Sequence, residues 1–66
     1  MIVVVNGEKV ELAPEATVGA VLEQLKVRAT GVAVALNGEV VPRSAWHETL
    51  LRADDRVELL TAAQGG

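Results

Sequence analysis

Asn-Gly occurs twice in this chain, at Asn6-Gly7 and Asn37-Gly38, and each pair separates two apolar, β-branched runs. A two-residue hairpin loop of type I′ needs positive φ at both central positions, and Asn-Gly is the dipeptide that best meets that need. Two β-hairpins are therefore predicted. So short a loop also sets the register. In the first hairpin Val5 faces Glu8, Val3 faces Val10 and Met1 faces Leu12. Val10 and Leu12 alternate with Lys9 and Glu11, so Met1, Val3, Val10 and Leu12 are predicted to share the core face. Ile2 and Val4 fall on the other face, beside Lys9 and Glu11. Apolar residues on a face expected to be wet point to a partner surface.

Between the hairpins, Ala13 to Ala16 reads as a turn and Thr17 as the N-cap of a helix. Val18, Val21, Leu22 and Leu25 fall at i, i+3, i+4 and i+7, one apolar stripe. The helix is expected to fade around Val27 to Ala29, with Gly31 as its stop. Gly19 is a poor helix former, which suggests close packing against the sheet. Gly31 to Leu36 is the next strand and Glu39-Val40-Val41 its hairpin partner, ended by Pro42 because proline cannot donate to a ladder. Ser44 is expected to cap a helical turn through Ala45 to Glu48, closed by Leu50 and Leu51. Asp54-Asp55 is a turn whose short side chains bond nearby amides. In the last strand, Val57 to Thr61, Val57 and Leu59 point inward while Glu58 and Leu60 point outward. Ile2, Val4 and Leu60 are thus the candidate partner-docking face.

Neither hairpin can bury itself alone, so both must share one sheet with the helix across one face. The last strand is placed parallel beside the first, in the middle. The predicted fold class is α+β: a single β-grasp (ubiquitin-like) domain over residues 1–61. Its mixed sheet has four to five strands, one main helix and a short helical turn near 44–49. Residues 62–66 are expected to form a flexible tail that leaves the sheet edge as an arm.

At 66 residues, the chain is below the roughly 70–80 at which one core is comfortable. It has no cysteine, which removes disulfides, thiolate metal sites and iron–sulfur clusters. Trp46 is the sole aromatic. In so aliphatic a core it is expected to act as a plug whose N–H seeks a carbonyl. The net charge is −3, and no basic stripe or aromatic platform invites nucleic acid. No apolar run approaches the ~20 residues of a membrane span. The start of the chain lacks a signal peptide's basic region and cleavage site, so a cytoplasmic location is expected. His47, the single histidine, has no second ligand at a telling spacing and reads as a partly exposed turn residue. Glu48, Asp54 and Asp55 read as local turn chemistry rather than a metal cluster. Arg43 is open between a local carboxylate and a partner.

The sequence closes on Gln64-Gly65-Gly66. Lacking Cβ, two glycines give the backbone its narrowest form and its widest choice of dihedrals. That suits a chain end threading into another protein's narrow site. Two glycines at the end arise by chance in only about 0.5% of chains.

Two further stretches join that ending. Val34-Ala35-Leu36-Asn37-Gly38-Glu39-Val40-Val41-Pro42-Arg43-Ser44-Ala45-Trp46 and Asp54-Asp55-Arg56-Val57-Glu58 together resemble the thiamine-pathway sulfur carriers, the ThiS-type proteins. The resemblance covers nearly the whole chain and is weakest from Glu8 to Thr30. It implies a carrier and not an enzyme. A ThiF-type, E1-like adenylyltransferase would use ATP to adenylate the Gly66 carboxylate. A sulfur donor such as a cysteine desulfurase or persulfide carrier would convert it to a thiocarboxylate. A ThiG-type thiazole synthase would accept the sulfur, with Gln64 and Gly65 threading the tail. No cofactor or metal is implied on the carrier itself. A sulfur carrier for molybdopterin, cysteine or tRNA thiolation shares these features. A ubiquitin-like modifier or a plain interaction module remains the alternative class.

Overall fold

The computed structural model describes residues 1–61. Its elements are β1 (Ile2–Val5), β2 (Glu8–Glu11), α1 (Val18–Gln24), β3 (Val32–Leu36), β4 (Glu39–Val41), a 3-10 turn (Arg43–Ala45) and β5 (Arg56–Thr61). The five strands form one sheet in the order β2-β1-β5-β3-β4. β5 is parallel to β1 and antiparallel to β3. The last strand is therefore the central one and parallel to the first, as the sequence predicts. The predicted tail, 62–66, lies outside the described residues.

Both Asn-Gly pairs make the expected turns. Asn6 and Asn37 have φ of 50° and 51°, followed by Gly7 at 85° and Gly38 at 89°. The first hairpin has the predicted register, with Val3 opposite Val10 and Val5 opposite Glu8. Beyond the strand ends, Met1 and Leu12 exchange two 2.7 Å hydrogen bonds.

The core lies between the sheet and α1. Val3, Val5, Val34 and Val57 from the sheet meet Val18, Val21 and Leu22 from the helix. Leu12, Val41, Trp46 and Leu51 close its sides. Trp46 is the expected plug, 4% exposed, and its indole N–H donates to the Val41 carbonyl at 2.9 Å.

The helix has only seven residues, too few to be stable alone. Its first N–H groups, which no helical turn can satisfy, are taken up by other parts of the chain. Val18 donates to the Thr49 carbonyl and Gly19 to that of Trp46, both at 3.0 Å. The Thr17 hydroxyl accepts from the Ala20 amide at 3.2 Å, as an N-cap should. The segment after the 3-10 turn is thereby sewn to the start of the helix.

Several local expectations are corrected. The helix ends at Gln24 and does not persist toward Val27. Lys26 adopts left-handed φ of 58°. The Val27 amide returns to the Leu22 carbonyl at 2.9 Å, and that of Lys26 to Glu23 at 3.2 Å. These two bonds are a Schellman closure, usually made with glycine at the left-handed position. Because the helix stops there, Leu25 drops out of the apolar stripe and is 38% exposed. Gly19 packs against His47, not the sheet. The short helical turn begins at Arg43, with Pro42 at its N-cap and no side-chain cap. The fixed φ of proline does the work assigned to Ser44. Leu51 is buried, whereas Leu50 is exposed and contributes a backbone bridge to Thr17.

Candidate functional site

Among the described residues, nothing covers the face of the sheet away from α1. Strand pairing lays its side chains out in rows across the strands. Ile2 stands beside Glu11, and Lys9, Val4 and Arg56 form the next row. Glu58, Ala35 and Val40 form a third, and Leu60 and Ala33 a fourth. Val40 is 76% exposed, Leu60 67% and Ile2 44%.

Ile2, Val4 and Leu60 do share this face, but the register separates them. The Asp54 amide bonds the Ile2 carbonyl, so Ile2 lies level with Asp54, six residues before Leu60. At about 3.3 Å per residue, that is roughly 20 Å along the strand. Leu60 is grouped instead with Ala33, Ala35 and Val40, at the end of β5 where the chain continues toward Gly66. Sequence reasoning passed over these three. The signal was the alternation of large and small residues in Val32-Ala33-Val34-Ala35-Leu36, which turns the small side chains outward and lets Leu60 and Val40 stand above them.

β5 is held at both ends by the asparagines of the two turns. Asn6 Oδ1 accepts from the Leu59 amide at 2.8 Å and its Nδ2 donates to the Leu59 carbonyl at 3.3 Å. Asn37 Oδ1 accepts from the Arg56 amide at 2.9 Å. Asp55 completes the turn before β5: one oxygen accepts from the Arg52 amide at 2.8 Å, the other from Asn37 Nδ2 at 3.1 Å.

A cleft of about 120 Å³ opens between α1 and the turn after β4, lined by Gly19, Leu22, Glu23, Val27, Ala29, Trp46 and His47. His47 and Arg43 are exposed. Among the described residues, no three His, Asp or Glu side chains come close enough to hold a metal ion. No described helix is long and apolar enough to cross a membrane. Gln64, Gly65 and Gly66 lie outside the described residues.

A five-stranded mixed sheet with a parallel central pair and one helix across a single face defines a β-grasp domain, the ubiquitin-like class. The chain belongs to the ThiS family, whose model matches residues 3–66. It is 33% identical to the sulfur carrier protein ThiS of Escherichia coli (strain K12), over the whole of both chains. It is 35% identical, over its full length, to one fifth of a thiazole synthase from Paramagnetospirillum magneticum. The crystal structure of the thiamine biosynthesis protein ThiS from Geobacter metallireducens superposes with a TM-score of 0.85 at 39% identity, covering both chains completely. The solution structure of a thiamine biosynthesis protein from that organism gives 0.82 at 40%, covering all of this chain and 88% of the other.

Proposed function

We propose that this protein is a sulfur carrier of thiamine biosynthesis and that the Gly66 carboxylate is the group it loads. The observation that carries the reading is the alignment, end to end and through Gln64-Gly65-Gly66, with a protein named as a sulfur carrier. A carboxylate is a poor acylating group at neutral pH, because oxide would have to leave. Attack of its oxygen on the α-phosphorus of ATP releases pyrophosphate and gives an acyl adenylate, whose leaving group is AMP. The terminal sulfur of a persulfide then attacks the carbonyl carbon and AMP leaves. A second thiol cleaves the S–S bond of the acyl persulfide, forming a disulfide with the donor's sulfur and releasing the thiocarboxylate. The resulting thiocarboxylate is a soft nucleophile held on a protein and not lost as sulfide. Glycine leaves the carbonyl open to approach from either side.

In this reading the carrier supplies no catalytic side chain. A ThiF-type adenylating enzyme binds the ATP, and a cysteine desulfurase or persulfide carrier supplies the sulfur. The acceptor is a ThiG-type thiazole synthase. The thiazole synthase of which one fifth resembles this chain favours that acceptor, since it joins a segment of this kind to such an enzyme. Leu60, Ala33, Ala35 and Val40 are the docking surface, with Val4 and Ile2 extending it. In this reading the protein works in the cytoplasm, where ATP and cysteine are at hand.

The test is an intact mass after incubation with ATP, a ThiF-type enzyme, cysteine and a cysteine desulfurase. The expected result is a gain equal to one exchange of oxygen for sulfur, absent when Gly66 is deleted. Gly66→Ala should slow loading and leave the thermal midpoint unchanged, because every residue of the described core lies between Val3 and Val57. Isopeptide conjugates in place of the mass gain would make the protein a modifier instead.

A further inference from the structure

The two Asn-Gly turns look alike in sequence, yet they stand at opposite ends of the central strand. β1 pairs with β5 only as far as Val57. Beyond that point β3 continues alongside to Thr61 on one flank, whereas the other flank has lost its strand to the Asn6-Gly7 turn. There the Asn6 side chain takes over. It satisfies both the amide and the carbonyl of Leu59, at 2.8 and 3.3 Å, across 53 residues of sequence. Its own amide donates to the Val57 carbonyl at 2.9 Å. One carboxamide thus imitates one further residue of β1. Asn37 does the same at the entry of β5, accepting from Arg56 with its side chain and donating to the Arg56 carbonyl with its backbone at 2.8 Å.

Gly66 is five residues beyond Thr61, and five residues span at most about 18 Å. The reach and direction of the carboxylate therefore depend on where the sheet last holds the chain. The geometry points to Asn6 as a positioning residue for loading. Pairing with β3 sets the last held residue, Thr61. By clamping Leu59 on the flank that β1 has vacated, Asn6 fixes the direction in which the end of β5 points. The inference rests on the loading of Gly66 proposed above. Without the clamp, the end of β5 hangs from β3 alone. Pairing with β3 still holds Leu59 to Thr61, but one flank of the strand is then free to swing, and a partner must fix its direction at a loss of binding free energy.

The test compares Asn6→Gly with Asn37→Gly. Glycine keeps positive φ at either turn, so both hairpins survive, and each variant loses one side-chain clamp on β5. Amide exchange followed by NMR should quicken by at least roughly tenfold at Leu59 in Asn6→Gly and at Arg56 in Asn37→Gly. ATP–pyrophosphate exchange by a ThiF-type enzyme should show a KM for the Asn6→Gly carrier raised about fivefold, with kcat little changed. Asn37→Gly should load like the unaltered protein at a comparable loss of thermal midpoint. Equal loss of loading in both variants would reduce Asn6 to a purely structural residue, as would unchanged KM in Asn6→Gly once Leu59 exchanges faster. If the unaltered chain is not loaded at all, the carrier reading itself fails, and the Leu59 exchange result separates that failure from an absent clamp.

Discussion

At Gly19 the helix carries no side chain because His47 occupies the space. A Cβ built there would lie 2.6 Å from His47 Nδ1 and 2.7 Å from Cε1. Glycine costs about 1 kcal/mol against alanine inside a helix, a cost accepted here for the close approach of the loop after β4. Gly19→Ala should destabilise the protein by about 1 kcal/mol as the imidazole is pushed aside. In a His47→Ala background the same change should stabilise by up to about 1 kcal/mol. Urea denaturation of the four proteins measures the coupling, and equal effects in both backgrounds would refute the contact. The poor helix propensity of Gly19 was legible in the sequence, but the identity of its neighbour was not, because 28 residues separate them. Thr17 and Trp46 were legible, since a cap and a lone aromatic act through their own chemistry. The clamps made by Asn6 and Asn37 were hidden behind the stronger reason for asparagine in a tight turn.

At the scale of elements, hairpins were easier to read than helix ends. The register of β1 and β2 followed from loop length and alternation, both local quantities. The end of α1 did not, because Lys26 occupies a left-handed position normally marked by glycine. A residue with a Cβ pays roughly 1 kcal/mol there. Lys26→Gly should therefore raise stability by about 0.5–1 kcal/mol, read as a higher denaturation midpoint with an unchanged slope. A lower midpoint would mean that the lysine stem contributes packing at the end of the helix. The turn at Arg43–Ala45 shows the converse case. Sequence favoured Ser44 as its cap, yet Pro42 already fixes the entry backbone at φ −65°, so no side-chain hydrogen bond is needed.

At the scale of the whole molecule, the sheet presents one face to α1 and, among the described residues, leaves the other open. Its most exposed apolar residues are Val40 on the edge strand β4 and Leu60 near the end of the central strand. Leu60→Glu should lower affinity for the adenylating enzyme or the acceptor by about tenfold. Its own stability should move by less than about 0.5 kcal/mol, because Leu60 is already 67% exposed. Ile2→Glu, roughly 20 Å away along the sheet, should have the smaller effect on binding. Titration calorimetry with each partner checks both. Unchanged affinity in Leu60→Glu for both partners would remove this face from the docking surface.

The sequence by itself determined the two hairpins, their alternation of faces, the capped start of the helix and an aliphatic core plugged by Trp46. Each of these rests on spacing and side-chain chemistry within a few residues. Only the tertiary structure decided which neighbours meet. It grouped Leu60 with Ala33, Ala35 and Val40, set His47 against Gly19, and let Asn6 hold Leu59. The physical reason is that such contacts are chosen when the sheet closes and distant segments compete for the same hydrogen bonds and the same space.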